Sequence, residues 1–175
     1  MEFREGFDYD GRLGAARLRR TESRAITAEN PSGERGGGGK ATEGTGAKAA
    51  RDLGTGWKVS PSRVIAAGET LELAAITGPG VIEHIWVTTR SDAWRSLVLR
   101  MSWEGNDGPP AVAVPLGDFF CQGWAEYAPL VSEPIVVAPH GGMNCYFPMP
   151  FRRSANITLE NPVSYTHLTL PTILR

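Results

Sequence analysis

The sequence predicts an all-β fold, an antiparallel β-sandwich for which the jelly roll is one closed arrangement. After Trp57, short runs of β-branched and aromatic residues are separated by Gly, Pro, Asn and Asp, at the spacing typical of sandwiches and barrels. Several of these runs repeat apolar residues with a period of two, which indicates strands with one buried face. No helical pattern is interleaved with the runs, so we expect the strands to pair in antiparallel fashion.

An irregular region rich in glycine precedes the predicted sandwich. Residues 13–20 permit a short helix, because they lie in a polar stretch rich in Arg and Ala. Residues 28–56 carry many glycines and very few large apolar side chains. Glycine loses much backbone entropy on folding and brings no side chain to pack, so no regular core element is expected there. We assign residues 1–56 to an N-terminal arm and Gly-rich loop.

The sandwich is assigned to residues 57–162, in which the apolar runs are short and bounded by turn residues. The predicted strands are residues 59–65, 70–76, 81–89, 96–103, 111–114, 135–137, 142–147 and 156–159.

Two of these runs indicate which face is buried. In the run from Val81, one face shows Val81, Ile85 and Val87, and the other shows His84 and Trp86. The next run has alternating apolar residues on one face: Leu97, Leu99, Met101 and Trp103. Both patterns predict strands that lie with one side against a core.

A hairpin is predicted at residues 104–110, which read Glu-Gly-Asn-Asp-Gly-Pro-Pro. Asn, Asp and Gly tolerate positive φ, and the prolines end the ladder of backbone hydrogen bonds.

The overall composition limits the kinds of partner that the protein is expected to bind. The 18 basic residues nearly cancel the 19 acidic residues, so the basic footprint of a nucleic-acid-binding protein is missing and no nucleic acid is expected. Cys121 and Cys145 stand in no Cys-x-x-Cys pair, so we interpret both as buried, inert thiols. The chain has no apolar run of the roughly 18 residues that suggest a membrane span, and its charged start resembles no secretory signal. We expect no membrane contact and a cytoplasmic location.

The spacing of the residues excludes several known catalytic and cofactor-binding motifs. The glycines before Lys40 lack the phosphate-loop pattern, because Glu34 stands six residues before the lysine and Ala41 follows it. A partial dinucleotide fingerprint at residues 44–49 follows no predicted strand. The histidines show no spacing typical of metal ligands, and no serine stands in a nucleophile elbow. We expect no metal and no cofactor.

Three segments combine carboxylate, amide and aromatic side chains, which are the groups that bind sugar hydroxyls and sugar faces. They are residues 29–34, the Asp118-Phe119-Phe120 segment and residues 144–153. For residues 29–34 a solvated turn is the simpler interpretation, and for the other two it is packing at the edge of the core.

The order and spacing of residues 29–40, 114–120, 144–152 and 155–161 resemble glycoside hydrolase family 172, formerly a family of unknown function. Characterised members act on α-fructofuranosyl, difructose-anhydride and arabinofuranosyl linkages. The resemblance covers about residues 20–162, which corresponds to the front portion of a member of that family.

This resemblance implies a jelly-roll-type sandwich, incomplete in this chain, an oligosaccharide substrate and assembly into trimers or hexamers. It also implies retaining hydrolysis by two glutamates, one as nucleophile and one as acid and base, about 5 Å apart. In the family both glutamates lie downstream of the motifs found here. We therefore expect a fragment that is inactive alone, and we assign no catalytic role to Glu29, Glu34 or Glu104.

The resemblance also indicates residues that line or brace a sugar pocket. These predicted substrate-binding residues are Asn30, Glu34, Asp118, Phe119 and Asn144. Two alternatives remain open: a non-catalytic sugar-binding jelly roll and an assembly jelly roll in which subunit contact is the function.

Residues 163–175 depart abruptly from the family pattern. From Val163 to Thr172 they resemble the translation of a sequencing adapter, so we predict a non-native tail there and give Tyr165 and His167 no functional weight.

Overall fold

The computed structural model describes residues 20–54 and 56–162, together with the backbone of residues 173–174. Apart from Arg20, the helix predicted over residues 13–20 lies outside this part of the chain. The predicted tail, residues 163–175, lies outside it as well, apart from the backbone of residues 173–174.

The described chain consists mainly of short antiparallel strands. Their bounds are β1 Thr70–Thr77, β2 Gly80–Ile82, β3 Ile85–Val87, β4 Val98–Trp103, β5 Val112–Pro115, β6 Leu130–Val131, β7 Ile135–Val137, β8 Met143–Cys145, β9 Met149–Phe151, β10 Ser154–Glu160 and β11 Ile173–Leu174. Single-turn helices are α1 Ala47–Ala50 and α2 Leu116–Phe119, with a 3-10 turn at Ser91–Ala93. No helix in the described ranges has the length and apolar character that crossing a bilayer requires.

The strands form two sheets and a ribbon. A four-stranded sheet has the order β1-β10-β4-β5, and a five-stranded sheet has the order β11-β3-β8-β7-β6. β2 and β9 pair separately as a two-stranded ribbon. Every pairing is antiparallel, which confirms the predicted all-β antiparallel sandwich.

Alternate side chains of both sheets form one apolar core, as the period of two predicts. In the four-stranded sheet, the register sets Leu99 beside Leu159 and Met101 beside Ile157, and all four side chains are buried. The five-stranded sheet contributes buried residues from its three central strands: Ile85, Val87, Ile135, Val137, Met143 and Cys145. Burial of each large aliphatic side chain contributes about 1.5–3 kcal/mol, so this core is the main source of stability.

The predicted hairpin is confirmed, since β4 and β5 pair on either side of residues 104–111. Glu104 and Gly105 both have φ of 64°, in the left-handed region that tight turns require. The Glu104 carboxylate accepts backbone N–H groups of Arg152 and Arg153, each at 2.7 Å. These hydrogen bonds tie the hairpin to the turn between β9 and β10, and the first of them is the main cause that lowers the pKa of Glu104.

The strand predicted at residues 59–65 is wrong. The backbone of this segment bonds to the Gly-rich loop instead of to a strand. Gly46 N–H donates to Val59 O at 2.7 Å, and Ser60 N–H donates to Glu29 Oε1 at 2.5 Å. Pro61 has no N–H with which to continue a ladder.

The single strand predicted at residues 81–89 is two strands, β2 and β3, which belong to different sheets. The chain leaves the ribbon after Ile82 and enters the five-stranded sheet at Ile85. This break shifts the alternation of buried and exposed residues. A continuous strand would place Val81 on the core face, but Ile82 is the buried residue. Ile85 and Val87 are buried as predicted.

The remaining predicted strands correspond to β1, β4, β5, β7, β8 and β10 with small shifts at their ends. The short strands β6 and β9 and the single-turn helices were not predicted, because two to four residues carry too little periodicity.

We call the two hydrogen bonds from Arg152 and Arg153 to the Glu104 carboxylate the Glu104 clamp. This clamp makes the free energy of unfolding depend on pH. Because the folded-state pKa of Glu104 lies below its ordinary value of about 4.3, its contribution is present above that pH and is lost as the pH falls through the lower folded value. We expect Glu104→Gln to flatten the fall in the free energy of unfolding below about pH 4.3, measured by urea unfolding from pH 3 to 7. Glu43→Gln, at an exposed position of the Gly-rich loop, is the control and should leave the slope unchanged. Parallel pH curves for the wild type and Glu104→Gln would contradict the clamp.

Candidate functional site

Trp94 holds together the two loops that carry most of the candidate site residues. Its side chain is fully buried and its indole N–H donates to Thr89 O at 3.2 Å. A Cβ built on Gly117 would lie 2.8 Å from Trp94 Cβ, and one built on Gly141 would lie 3.0 Å from Trp94 Cζ2. Trp94 therefore packs directly against glycine backbone at both places, with its Cβ against Gly117 just before Asp118 and its indole ring against Gly141 just before β8.

Asp118 and Phe119 lie in α2, which follows β5 directly. The Asp118 carboxylate accepts a hydrogen bond from the guanidinium of Arg95, which neutralises its charge. Phe119 is partly buried and packs edge-on against Phe120, with ring centroids 5.0 Å apart. The ring of Phe119 thus contributes to the edge of the core, and the carboxylate of Asp118 lies at the surface beside a cation.

The loop after α2 presents an aromatic residue that the sequence interpretation did not single out. The buried amide of Gln122 accepts the N–H of Ala128 at 2.9 Å and donates to Ala128 O at 3.1 Å. This double hydrogen bond closes the loop, and within it the side chain of Trp124 is 92 % exposed. The sequence signal that could have identified Trp124 is a tryptophan in a short segment that contains Gly and Ala.

Asn144 lies on the outer face of the five-stranded sheet, away from the core. β8 alternates so that Met143 and Cys145 are buried and Asn144 is half-buried. The register sets Asn144 directly between Trp86 of β3 and Val136 of β7. Asn144 Nδ2 donates to Val136 O at 3.2 Å and to Gly142 O at 3.3 Å, so the amide is fixed in one orientation.

His84 and Tyr146 complete this outer face. His84 Nε2 lies 3.1 Å from Asn144 Oδ1. The imidazole stacks on the ring of Tyr146, with centroids 4.6 Å apart and planes 8° from parallel. The sequence interpretation placed His84 and Trp86 on one face but assigned them no role. It included Tyr146 in the segment 144–153 without naming it as a substrate-binding residue. We call these four residues, His84, Trp86, Asn144 and Tyr146, the outer-face cluster.

Asn30 and Glu34 form a separate group in the Gly-rich loop. The side chain of Asn30 is 7 % exposed and braces the loop from within. Its Nδ2 donates to Ala25 O and Glu34 O, and its Oδ1 accepts the N–H of Glu34 at 3.0 Å. A pocket of about 180 Å³ at this loop is lined by residues 23–25, Thr27, Asn30 and residues 34–38, and Glu34 is exposed there.

The structure brings only some of the predicted site residues together. Described hydrogen bonds join Asn30 to Glu34, Asp118 to Arg95, and Asn144 to His84. In the described ranges no such contact links these three groups to one another. Asn30 and Asn144 spend most of their hydrogen-bonding capacity on backbone groups, so each fixes the shape of its surroundings.

The two cysteines differ in environment. Cys145 is buried, as predicted, and burial raises the pKa of its thiol. The prediction of burial is wrong for Cys121, which is exposed. Its φ of 61° lies in the left-handed region, as the chain turns out of α2. Within the described residues, no group of three or more His, Cys, Asp or Glu side chains is arranged to hold a metal ion.

Comparison with known proteins identifies one family. The family model described as GH172 domain-like matches residues 58–169. A search of curated proteins found no match to this chain.

The packing of Trp94 on glycine backbone gives a prediction for stability. In Gly117→Ala the added Cβ would lie 2.8 Å from Trp94 Cβ and 2.9 Å from Gln122 O, so backbone must shift. We expect a loss of about 1–3 kcal/mol in the free energy of unfolding, measured by denaturant titration. The matched control is Gly38→Ala, whose Cβ would meet nothing within 4 Å and which should change stability by less than about 0.5 kcal/mol. Equal stability of the two variants would show that the loops are not held by this contact.

Proposed function

Because the chain belongs to the GH172 family, whose model matches more than half of its residues, we propose that it supplies a sugar-binding surface of a retaining glycoside hydrolase that acts on furanosides. The linkage class, α-fructofuranosyl or arabinofuranosyl, follows from the family resemblance of the motifs. The surface that we assign to the sugar is the outer-face cluster.

One observation supports this surface above the others: an oriented amide lies beside Trp86 on the sheet and is hydrogen-bonded to an imidazole that stacks on Tyr146. Asn144 is the cross-strand neighbour of Trp86, and Tyr146 is 44 % exposed. Aromatic rings pack on the apolar faces of sugars, and an imidazole whose orientation a neighbouring amide fixes can bind a hydroxyl group. Since β3 and β8 are backed by the core, Trp86 and Asn144 are held on rigid elements, and Tyr146 follows β8 directly.

We assign the two catalytic glutamates to residues outside those that the structure describes. A general acid needs a raised pKa, whereas the pKa of Glu104 is lowered by the backbone N–H groups that it accepts. The carboxylate of Glu29 is similarly engaged, with Gly39 N–H at 3.1 Å and Ser60 N–H at 2.5 Å. Both glutamates stabilise loops, and this role leaves neither free to attack or protonate a glycosidic bond.

A second candidate function is assembly into a homo-oligomer. Trp124 is 92 % exposed and Val131 is 80 % exposed, at opposite ends of one surface segment. Aromatic residues are enriched in contact surfaces between subunits, so the exposed indole of Trp124 favours such a contact.

The sugar-binding proposal is tested by titrating the purified chain with methyl α-D-fructofuranoside and methyl α-L-arabinofuranoside, followed by amide NMR shifts. We expect saturable shifts at residues 84–87 and 143–146, and no hydrolysis of either compound. Tyr146→Ala should weaken binding at least fivefold, because about 1 kcal/mol of ring contact is lost. Tyr127→Ala is the matched control, since Tyr127 is 42 % exposed and Tyr146 is 44 % exposed.

Two results would contradict this proposal. Shifts confined to other surfaces would move the sugar away from the outer-face cluster. Hydrolysis by the chain itself would place the catalytic carboxylates among its own residues.

The assembly candidate is tested by light scattering after size exclusion. We expect Trp124→Ser to lower the average mass of the particle, because the exposed indole would be the centre of the contact. Trp57→Ser, at a tryptophan that is 55 % exposed, is the control and should leave the mass unchanged. A wild-type chain that is monomeric at all concentrations would exclude this contact.

A further inference from the structure

The hydrogen bonds of the outer-face cluster fix the identity of each polar atom in it. Asn144 Nδ2 lies 3.2 Å from Val136 O and 3.3 Å from Gly142 O. Carbonyl oxygens only accept hydrogen bonds, so the atom that faces both of them must be the NH2 group. The amide oxygen of Asn144 therefore points at His84.

The orientation of Asn144 then determines the tautomer of His84. The amide oxygen has no proton to give, so at 3.1 Å the Nε2 of His84 must be the donor. A neutral imidazole carries a single N–H, and here it is on Nε2. Nδ1 consequently holds a free lone pair and acts as an acceptor.

Nδ1 of His84 is available to a ligand. Its ring is partly exposed, and no hydrogen bond to Nδ1 is found from any described residue. Among the described residues, Thr89 Oγ1 is the one side-chain polar atom that is both buried and without a partner. Nδ1 of His84 also lacks a partner but is not such a buried atom, so it reaches solvent. Stacking on Tyr146 fixes the plane of the imidazole and thereby the direction of this lone pair.

We propose that His84 is a substrate-positioning residue whose Nδ1 accepts a hydrogen bond from a hydroxyl group of the furanoside, with Asn144 holding the ring in the Nε2–H tautomer. This inference rests on the proposed sugar-binding function of the outer-face cluster. A ring hydroxyl is the matching ligand group, because it can donate to Nδ1 while its carbon skeleton contacts Tyr146. Asn144 acts on the sugar through the histidine, and its own amide stays bonded to the sheet.

The tautomer is tested first, without any ligand. Two-bond proton–nitrogen correlation spectra of the full chain, taken where they show a neutral ring, distinguish the two tautomers of His84. We expect the Nε2–H pattern in the wild type and a mixture of tautomers in Asn144→Leu. An Nδ1–H pattern in the wild type would overturn the proposal, since Nδ1 could then not accept.

The ligand role is tested with His84→Gln, which keeps a donor for Asn144 but loses the ring nitrogen that faces the sugar. We expect binding of methyl α-D-fructofuranoside to weaken about 3- to 10-fold, the effect of one neutral hydrogen bond. His140→Gln, at the other described histidine, which is exposed in the turn before β8, is the control and should bind within twofold of the wild type. Amide spectra of each variant verify that the sheet is intact.

The outcomes separate the two claims. If the wild type binds the furanoside and His84→Gln binds equally well, the role of His84 is overturned and the sugar-binding function stands. If the wild type binds neither furanoside, the proposed function fails and the role of His84 fails with it.

Discussion

The contact between Trp94 and glycine backbone is the constraint on which the arrangement of the surface depends. A buried tryptophan side chain needs neighbours at van der Waals distance on all sides, and here Gly117 supplies bare backbone at its Cβ and Gly141 at its indole ring. Gly117 lies within α2 directly before Asp118, and Gly141 lies just before β8, so a single side chain sets the positions of Asp118 and Asn144. The core thus determines where the surface groups lie.

Strand alternation couples the core to the outer-face cluster within β8. Neighbouring side chains of a strand point to opposite faces, so Asn144 can be oriented at the surface only while Met143 and Cys145 stay buried. A shift of one residue in the pairing with β3 would exchange these faces. Stability and recognition in this sheet are therefore two consequences of the same register.

Local sequence patterns predicted most strands. They failed where hydrogen bonds to residues distant in the sequence determine the structure of a segment. The alternation of Leu99 and Met101 is visible in the sequence, and it is confirmed by burial. The error at residues 59–65 arose because Ser60 bonds to Glu29, which stands 31 residues earlier. No pattern within the segment itself reports such a partner.

The candidate site was predictable in part. Asn144 was found through a motif, and the alternation placed His84 on the right face. The hydrogen bond between them spans 60 residues and exists only once β3 and β8 are in register. The sequence predicted that Asn30 lines or braces a sugar pocket, with a solvated turn as the alternative. Its side chain is buried and braces the loop, because its amide bonds to the backbone oxygens of Ala25 and Glu34.

The position of β1 in the four-stranded sheet has a consequence for synthesis on the ribosome. β1 pairs with β10, and the contact between Glu72 and Asn156 joins residues 84 positions apart. At about 5–20 residues per second, roughly 4–17 s of elongation pass after β1 is made before its partner strand exists. During that interval the nascent chain carries an unpaired apolar strand, which favours pairing with other chains and makes chaperone binding during translation advantageous to this fold.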